Sequence, residues 1–278
     1  MILFKFFLPF VAFLSWIPVG HTDLHDGLLR QIRQKTKEIE AHPKDANLYF
    51  ERGYLYQLHE DYRKALQDYN VADMLGFVRS ILAFRKAEVY YLLRDYDSAL
   101  SCLKWYQERA PKDVLTSLLE SRILREKGEV KAAIPVFHHF IQEVEDLTPE
   151  NVLEYSELIS SNGDLTSAIE AIEEGMHRLS TRPPTLLLRE IQLYSRLGAN
   201  DQVEKRYNEL ILTGGRKEHW YYEKARFLHQ IHRDDKAEIA LMQAGIELES
   251  LPDRLKNGSA MQELQQKISS LKKEINPK

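Results

Sequence analysis

The 278-residue chain has a single cysteine, Cys102, so no disulfide bond forms within it. It also lacks a basic excess, because 38 lysines and arginines stand against 42 aspartates and glutamates, and the formal net charge is −4. Nucleic-acid-binding proteins usually show a strong basic excess or a basic stripe. The composition therefore argues against an internally disulfide-bonded scaffold and against a nucleic-acid partner.

Patterns that carry catalysis or hold cofactors are also missing. The 12 glycines are scattered, so no glycine-rich phosphate loop is formed. His138 and His139 are adjacent, so on a helix their side chains point about 100° apart and do not easily share a metal ion. His229 and His232 are three residues apart, but the neighbouring aspartates are their only possible third metal ligand at helical spacing. No serine, histidine and aspartate set has the strand context of a hydrolase. We therefore expect no metal, no cofactor and no enzymatic activity.

Residues 1–20 have the layout of a secretory signal peptide. Lys5 precedes a short apolar run, and the small residue Gly20 follows it. The run is short for a membrane span, which needs about 20 apolar residues. We expect cleavage between Gly20 and Asp23 and an exported protein, periplasmic or extracellular. The alternative is an uncleaved segment that anchors an extracytoplasmic protein to the membrane, which is the only membrane contact expected.

A small residue, alanine in five cases of six, recurs at intervals of 34 or 35 residues. The six positions are Ala65, Ala99, Ala133, Ala168, Val203 and Ala237. Self-similarity at this period is typical of helical repeat arrays. When this residue is numbered position 20 of each repeat, position 8 is small in five repeats of six, and positions 11 and 24 are always large and apolar. This pattern predicts two antiparallel helices per repeat, which cross closely at positions 8 and 20.

Glycine marks the break between the two helices in three of the repeats. Gly128, Gly163 and Gly198 fall at position 15. A helix end there favours the left-handed backbone conformation, which glycine adopts without strain. We therefore predict a left-handed turn residue between the two helices of these repeats.

The pattern resembles the tetratricopeptide repeat family, of an exported bacterial type. The best match is the repeat with Ala46, Asn47, Leu48, Tyr49, Gly53, Tyr56, Tyr62, Ala65, Tyr69 and Ala72. The resemblance implies an all-α, right-handed superhelical α-solenoid of about six helix-turn-helix repeats. We place the array at residues 46–250, an amino-terminal capping half-repeat at 21–45 and a carboxyl-terminal capping helix at 251–278. A short coiled-coil seam is the alternative for the last helix.

Position 27, which is usually small in the family, is large in three repeats. The residues are Tyr106, Phe140 and Leu210. These departures predict locally wider spacing of the helices and no change of fold.

The resemblance also implies a binding face. In this family the first helix of each repeat lines an inner groove through positions 2, 5, 9, 12 and 13. The candidate partner-binding residues at these positions are Phe50, Tyr54, Phe84, Tyr91, Arg122, Arg125, Gln192, Arg196, Tyr222 and Arg226. Aromatic and arginine side chains dominate binding hot spots. We predict a groove that holds a peptide or extended protein segment, with its acidic part towards the arginines. The alternative is that the aromatic residues only pack between repeats and the arginines only keep the surface hydrated.

These observations favour an exported, non-catalytic scaffold for protein–protein interaction. One alternative is a membrane-anchored scaffold of the same kind. The other is an accessory or ligand-binding module of an exported hydrolase, which would bind glycans in place of peptides.

Overall fold

The computed structural model describes residues 21–77, 80–111 and 113–276. The predicted signal peptide, residues 1–20, lies outside this range. Within the described residues the chain forms fifteen α-helices and no strand. None of these helices is both long enough and apolar enough to cross a bilayer.

The helices follow the repeat pattern. Their bounds are α1 His21–Ala41, α2 Ala46–Leu58, α3 Tyr62–Met74, α4 Ile81–Leu92, α5 Tyr96–Gln107, α6 Leu115–Glu126, α7 Val130–Glu143, α8 Pro149–Ser161, α9 Leu165–Leu179, α10 Pro184–Arg196, α11 Asn200–Thr213, α12 Lys217–Gln230, α13 Asp234–Glu249, α14 Asp253–Lys256 and α15 Ser259–Ile275. The pairs α2/α3 to α12/α13 cover the six predicted repeats, which confirms the all-α fold class of helix-turn-helix repeats.

The described residues divide into two units of contacts, one up to Ile123 and one from Leu124 onwards, which we call the amino-terminal and carboxyl-terminal units. In the amino-terminal unit, α2 packs on α3 and α4 packs on α5. In the carboxyl-terminal unit, α8 packs on α9, α10 on α11 and α12 on α13. Each of these pairs is one helical hairpin of the repeat pattern.

Small residues at position 8 lie where the two helices of a hairpin meet. Gly53 in α2 is buried, and a methyl group added to it would lie 2.8 Å from two ring carbons of Tyr69 in α3. Ala65, on the same face of α3, has no exposed surface. The close crossing predicted from positions 8 and 20 is therefore present in the first repeat.

The turn between the two helices of each repeat has one left-handed residue at position 15. Gly128, Gly163 and Gly198 have φ angles of 82°, 92° and 70°, as predicted. The other three repeats place Glu60, Arg94 and His232 in the same conformation, at φ angles of 63°, 61° and 58°. Position 16 often caps the second helix, since the carboxylates of Asp61, Asp95 and Asp164 each accept a backbone N–H at its start.

The large residues at position 27 are accommodated inside the hairpins. Tyr106, Phe140 and Leu210 are all buried. The wider helix spacing that they suggest stays a prediction. Gly175 holds the same position in repeat 4, where an added methyl group would lie 2.5 Å from both Cγ atoms of Val152.

The terminal helices cover the ends of the two units. Helix α1 packs on α2 and buries Ile32 and Ile39. Helix α15 contacts α12 and α13 and buries Met261, Leu264 and Leu271. Part of the apolar stripe of α15 is therefore buried within this chain, and its role as a cap stays a prediction.

Candidate functional site

The ten predicted binding residues all lie on the first helices of their repeats, and they fall into both units. The amino-terminal unit contains Phe50, Tyr54, Phe84, Tyr91 and Arg122. The carboxyl-terminal unit contains Arg125, Gln192, Arg196, Tyr222 and Arg226.

Two of the predicted aromatic contacts are core residues instead. Phe84 is 6% exposed and its ring lies 5.2 Å from that of Tyr106. Tyr222 is 9% exposed in α12. Repeat position sets the direction of a side chain around its helix, but neighbouring side chains decide how deeply it is covered. The prediction that these two residues line the binding surface is corrected on this ground.

Phe50 is half-buried and packs within the amino-terminal unit. Its ring stacks on that of Phe77 with centroids 4.5 Å apart and an interplanar angle of 15°. A second contact joins it to Tyr69 at 5.7 Å. Phe50 therefore contributes mainly to the hairpin core, with one edge left at the surface.

Four other apolar side chains on α2 and α4 are partly exposed at positions 9, 12 and 13 of their repeats, and we call these four residues together the first-helix face. Tyr54 and Tyr91 are half-buried, and Leu58 and Leu92 are 42% and 41% exposed. Both leucines hold position 13 of their repeats. Leu92 is absent from the sequence prediction, although the repeat position would have found it.

A polar network fixes the side chains beside this face. The guanidinium of Arg85 lies 4.8 Å from the ring centroid of Tyr54 and bonds the carboxylate of Glu88 at 2.7 Å. The amide of Gln57 also donates to Glu88, at 3.1 Å, and accepts from the hydroxyl of Tyr69 at 2.7 Å. Burial acts to lower the pKa of Arg85. The negative charge of Glu88 and its hydrogen bond act in the opposite direction, and the net pKa of Arg85 is raised. The ring of Tyr54 is thus presented on a fixed support.

Three of the four polar candidates of the carboxyl-terminal unit have partners close to them, and the fourth, Arg196, is exposed at the end of α10. Arg125 donates to Glu154 at 3.1 Å, and Gln192 accepts from Arg189 at 3.2 Å. Arg226 is paired with Glu223 on the same helix at 2.5 Å and is more than half exposed. Exposed ion pairs of this kind contribute about 0–1 kcal/mol, so they can rearrange for a ligand. Arg122, in the other unit, is half-buried on α6.

A second polar cluster in the carboxyl-terminal unit was not predicted from the sequence. Arg206 and Glu190 are both buried, with the Nε atom of Arg206 2.7 Å from Oε2 of Glu190. Arg206 also bonds Glu173, and it bonds Glu209 at 2.9 Å. Arg182 bonds the same two outer carboxylates, at 3.0 and 2.9 Å. Two guanidinium groups thus hold three carboxylates beside a cavity of about 400 Å³.

Burial and ion pairing act in opposite directions on the pKa values of this cluster. Burial raises the pKa of Glu190 to about 7, although Arg206 opposes the shift. Burial also acts to raise the pKa of Glu173, but Arg182 and Arg206 outweigh it and the net shift is downwards. Both guanidinium groups keep raised pKa values and stay charged. Every charge in the cluster has an opposite charge close to it, so we interpret the cluster as structural.

The cluster had a signal in the sequence. Glu190 and Arg206 hold positions 7 and 23 of repeat 5. The same positions of repeat 1 hold Arg52 and Asp68, which form a two-point ion pair at 2.7 and 2.8 Å with the charges exchanged. In both repeats, opposite charges 16 residues apart therefore mark an ion pair between the two helices of a hairpin, buried in repeat 5 and part-buried in repeat 1.

The described residues contain no group of three or more histidine, cysteine, aspartate or glutamate side chains placed to hold a metal ion. Cys102 is half-buried, and burial raises the pKa of its thiol. A raised pKa lowers the thiolate fraction and thus the reactivity of a cysteine.

Comparison with known proteins yields fold relatives. No family model matches the chain. Over 101 residues it is 32% identical to anaphase-promoting complex subunit 3 of Schizosaccharomyces pombe, a match that covers 36% of this chain and 15% of that protein.

Solved structures match more of the chain. A tetratricopeptide repeat protein from Parabacteroides merdae has a TM-score of 0.54 at 13% identity, over 90% of this chain and 95% of that one. MamA from Desulfovibrio magneticus, residues 41 to the end, has a TM-score of 0.50 at 15% identity, over 56% and 92% of the two chains. YrrB, described as a tetratricopeptide repeat protein with an unusual peptide-binding site, has a TM-score of 0.50 at 16% identity, over 64% and 90%. At these identities the likeness concerns the fold.

Proposed function

We propose that this chain, which has the tetratricopeptide repeat fold, is a scaffold that binds an extended peptide or protein segment through the first helices of its repeats. The observation that carries the proposal is the first-helix face. Leu58 and Leu92 are more than a third exposed, and the half-buried rings of Tyr54 and Tyr91 lie beside them in the repeat pattern, although Tyr91 also packs against the core of its unit. Aromatic and aliphatic anchors on a fixed support are typical of binding hot spots.

The bound segment would carry apolar side chains for this face. In the carboxyl-terminal unit, the exposed guanidinium groups of Arg196 and Arg226 favour acidic side chains in a segment bound there. Binding of this kind requires no cofactor and no chemical step. The alternative function, a glycan-binding accessory module of a hydrolase, would use the same first helices with a different ligand.

The test is to select peptides from a phage-displayed random library on the intact protein and then to measure their affinity for a double variant, Leu58→Lys with Leu92→Lys. We expect the dissociation constant of a selected peptide to rise at least about tenfold, because each substitution removes an apolar contact with the peptide and places a lysine ammonium group there. Both leucines are already partly in water, so the circular dichroism spectrum and the melting temperature should change little.

Met74→Lys is the matched control, since Met74 is 78% exposed in the same unit but lies on a second helix, α3. It should leave the affinity unchanged. Equal affinity of the double variant and the wild type would contradict the proposal, and so would a library that yields no binder. Binding on a glycan array in place of peptides would favour the accessory-module alternative.

We also propose that residues 1–20 direct export. Intact mass of the protein recovered from the periplasm of a bacterial host measures this directly. We expect a chain that begins between Gly20 and Asp23. A chain that keeps Met1 and sediments with membranes would support the anchored alternative, and a full-length chain in the cytoplasm would contradict export.

A further inference from the structure

Two asparagine–glycine pairs lie in exposed turns of the carboxyl-terminal unit. Asn162 and Gly163 connect α8 to α9, and Asn257 and Gly258 connect α14 to α15. Both asparagines are exposed, and neither side-chain amide has a hydrogen-bond partner among the described residues. Glycine has no side chain to shield its backbone nitrogen, so an asparagine–glycine pair can react with itself.

The reaction is an intramolecular attack that needs only water. The backbone nitrogen of glycine bonds to Cγ of the asparagine, and the bond from Cγ to the side-chain nitrogen breaks. That nitrogen leaves as ammonia and takes the proton of the glycine N–H, which produces a cyclic imide. Water then opens one of the two imide bonds. Opening at the side-chain carbonyl gives aspartate, whereas opening at the backbone carbonyl gives isoaspartate, in which the main chain runs through Cβ and Cγ.

Both turns hold this reaction back while they stay closed. Ring closure brings Cβ, Cα and C of the asparagine nearly into one plane with the nitrogen of the glycine. Asn162 and Asn257 both have a ψ angle of 0°, at which Cβ lies far out of that plane. The attacking nitrogens are also engaged, since Gly163 donates to the carbonyl of Ser160 at 3.1 Å and Gly258 donates to that of Leu255 at 3.0 Å. The turn must therefore open first, and the rate follows the free energy of that opening.

Opening costs little at Asn257. The preceding helix α14 has only four residues, Asp253–Lys256, and buries none of them. Leu255, its apolar residue, is 57% exposed. Lys256 bonds Glu249 at 2.5 Å, but both side chains are in contact with water, and exposed pairs of this kind contribute about 0–1 kcal/mol. Few buried contacts are therefore lost when the backbone at Asn257 rotates.

Opening costs more at Asn162. The last turns of α8 bury Leu158 and Ile159, which are 2% and 5% exposed. The turn continues directly into α9, where the carboxylate of Asp164 accepts the backbone N–H of Ser167 at 2.9 Å. Rotation of the backbone at Asn162 would disturb this cap and the crossing of α8 and α9. The same pair of residue types is thus held firmly in one turn and loosely in the other.

We propose that Asn257 is a site of spontaneous deamidation, which converts it to aspartate and isoaspartate, and that the fold protects Asn162 from the same reaction. The inference is independent of the proposed peptide binding, because Asn257 lies on no first helix of a repeat. The aspartate product places a negative charge one residue before Gly258, the N-cap of α15, where the helix dipole favours it. The isoaspartate product lengthens the main chain just before the helix that buries Met261 and Leu264.

The first test is incubation of the intact protein at mildly alkaline pH and physiological temperature, followed by digestion with pepsin at acidic pH and mass spectrometry of the peptides. The acidic digestion keeps new deamidation from arising during sample preparation. We expect the peptide with Asn257 to convert at least about tenfold faster than the peptide with Asn162, which serves as the control within the same molecule. Similar rates at the two sites, or a faster rate at Asn162, would overturn the proposal.

The second test asks whether the fold causes the difference. In concentrated urea both turns are open, so the two asparagines should convert at similar rates. A preference for Asn257 that persists in urea would contradict protection of Asn162 by the fold. Gly258→Ala should slow conversion of Asn257 in the folded protein, because the added methyl group shields the attacking nitrogen, and it should leave conversion of Asn162 unchanged. An unchanged rate at Asn257 in this variant would contradict attack by the nitrogen of residue 258.

Discussion

Replacement of Arg206 by alanine is expected to lower the free energy of unfolding by about 3–5 kcal/mol, the cost of breaking a buried ion pair by removal of one partner. The reason is that Glu190 has no exposed surface and would keep only the more distant Arg182, whose nitrogen lies 3.7 Å from it. Urea denaturation followed by circular dichroism measures the change. Arg226→Ala is the matched control, because Arg226 is exposed and pairs with Glu223 on its own helix, and its removal should cost less than about 1 kcal/mol.

The loss should depend on pH. Burial raises the pKa of Glu190 to about 7, above its ordinary value of 4.5, so the folded state binds a proton that the unfolded state has released between these values. Without Arg206 this pKa rises further, because the guanidinium is the group that lowers it. At pH 5 Glu190 is protonated in the folded states of both the wild type and the variant. The loss in free energy of unfolding caused by Arg206→Ala should therefore be smallest there. Above pH 7 the variant must bury an unpaired carboxylate or retain its proton, so its loss relative to the wild type should grow.

A loss that is the same at pH 5 and pH 8 would show that Glu190 does not carry the effect. A double variant, Glu190→Met with Arg206→Met, separates the two contributions. Because replacement of a buried pair by apolar residues of similar volume is often nearly neutral, it should recover most of the stability that Arg206→Ala loses.

Gly175→Ala should destabilise the protein by about 1–3 kcal/mol, the usual cost of overpacking a helix crossing. The added methyl group would lie 2.5 Å from both Cγ atoms of Val152, so no single rotation of that side chain clears it. Helices α8 and α9 would have to separate at repeat 4. A shift of the urea midpoint without a change of slope is the expected result.

Gly245→Ala is the matched control, because Gly245 also lies inside a helix but an added methyl group there meets nothing. It should stabilise the protein by up to about 1 kcal/mol, the helix propensity that glycine lacks. Equal effects of the two substitutions would show that Val152 does not limit the approach of the helices.

The fold was predictable because the same small and large positions recur in the two helices of each repeat. The interval between small residues at position 20 predicted the helix pairs of the six repeats, and five of these pairs pack as hairpins within one unit. The left-handed turn was predicted only where glycine marks it. Glu60, Arg94 and His232 adopt the same backbone without any sequence mark, because the geometry of the hairpin imposes it.

The candidate site was less predictable than the fold. Repeat position gave the correct helix for Tyr54 and Tyr91, but it did not tell that Phe84 and Tyr222 are covered by neighbouring side chains. Coverage depends on the sizes of residues from other helices, which a periodic pattern leaves open. The pair of Glu190 and Arg206 was missed because the pattern follows apolar residues, whereas this pair is charged and buried.

The ion pairs Arg52–Asp68 and Glu190–Arg206 have their charges exchanged, and this affects which first helix can pair with which second helix during folding. Six hairpins share one pattern, so each first helix faces several second helices that could receive it during folding. If the first helix of repeat 1 paired with the second helix of repeat 5, Arg52 would be buried against Arg206, and the converse error would bury Glu190 against Asp68. Both errors enclose like charges and are costly. The opposite polarity of the two pairs therefore disfavours an exchange of helices between repeats 1 and 5.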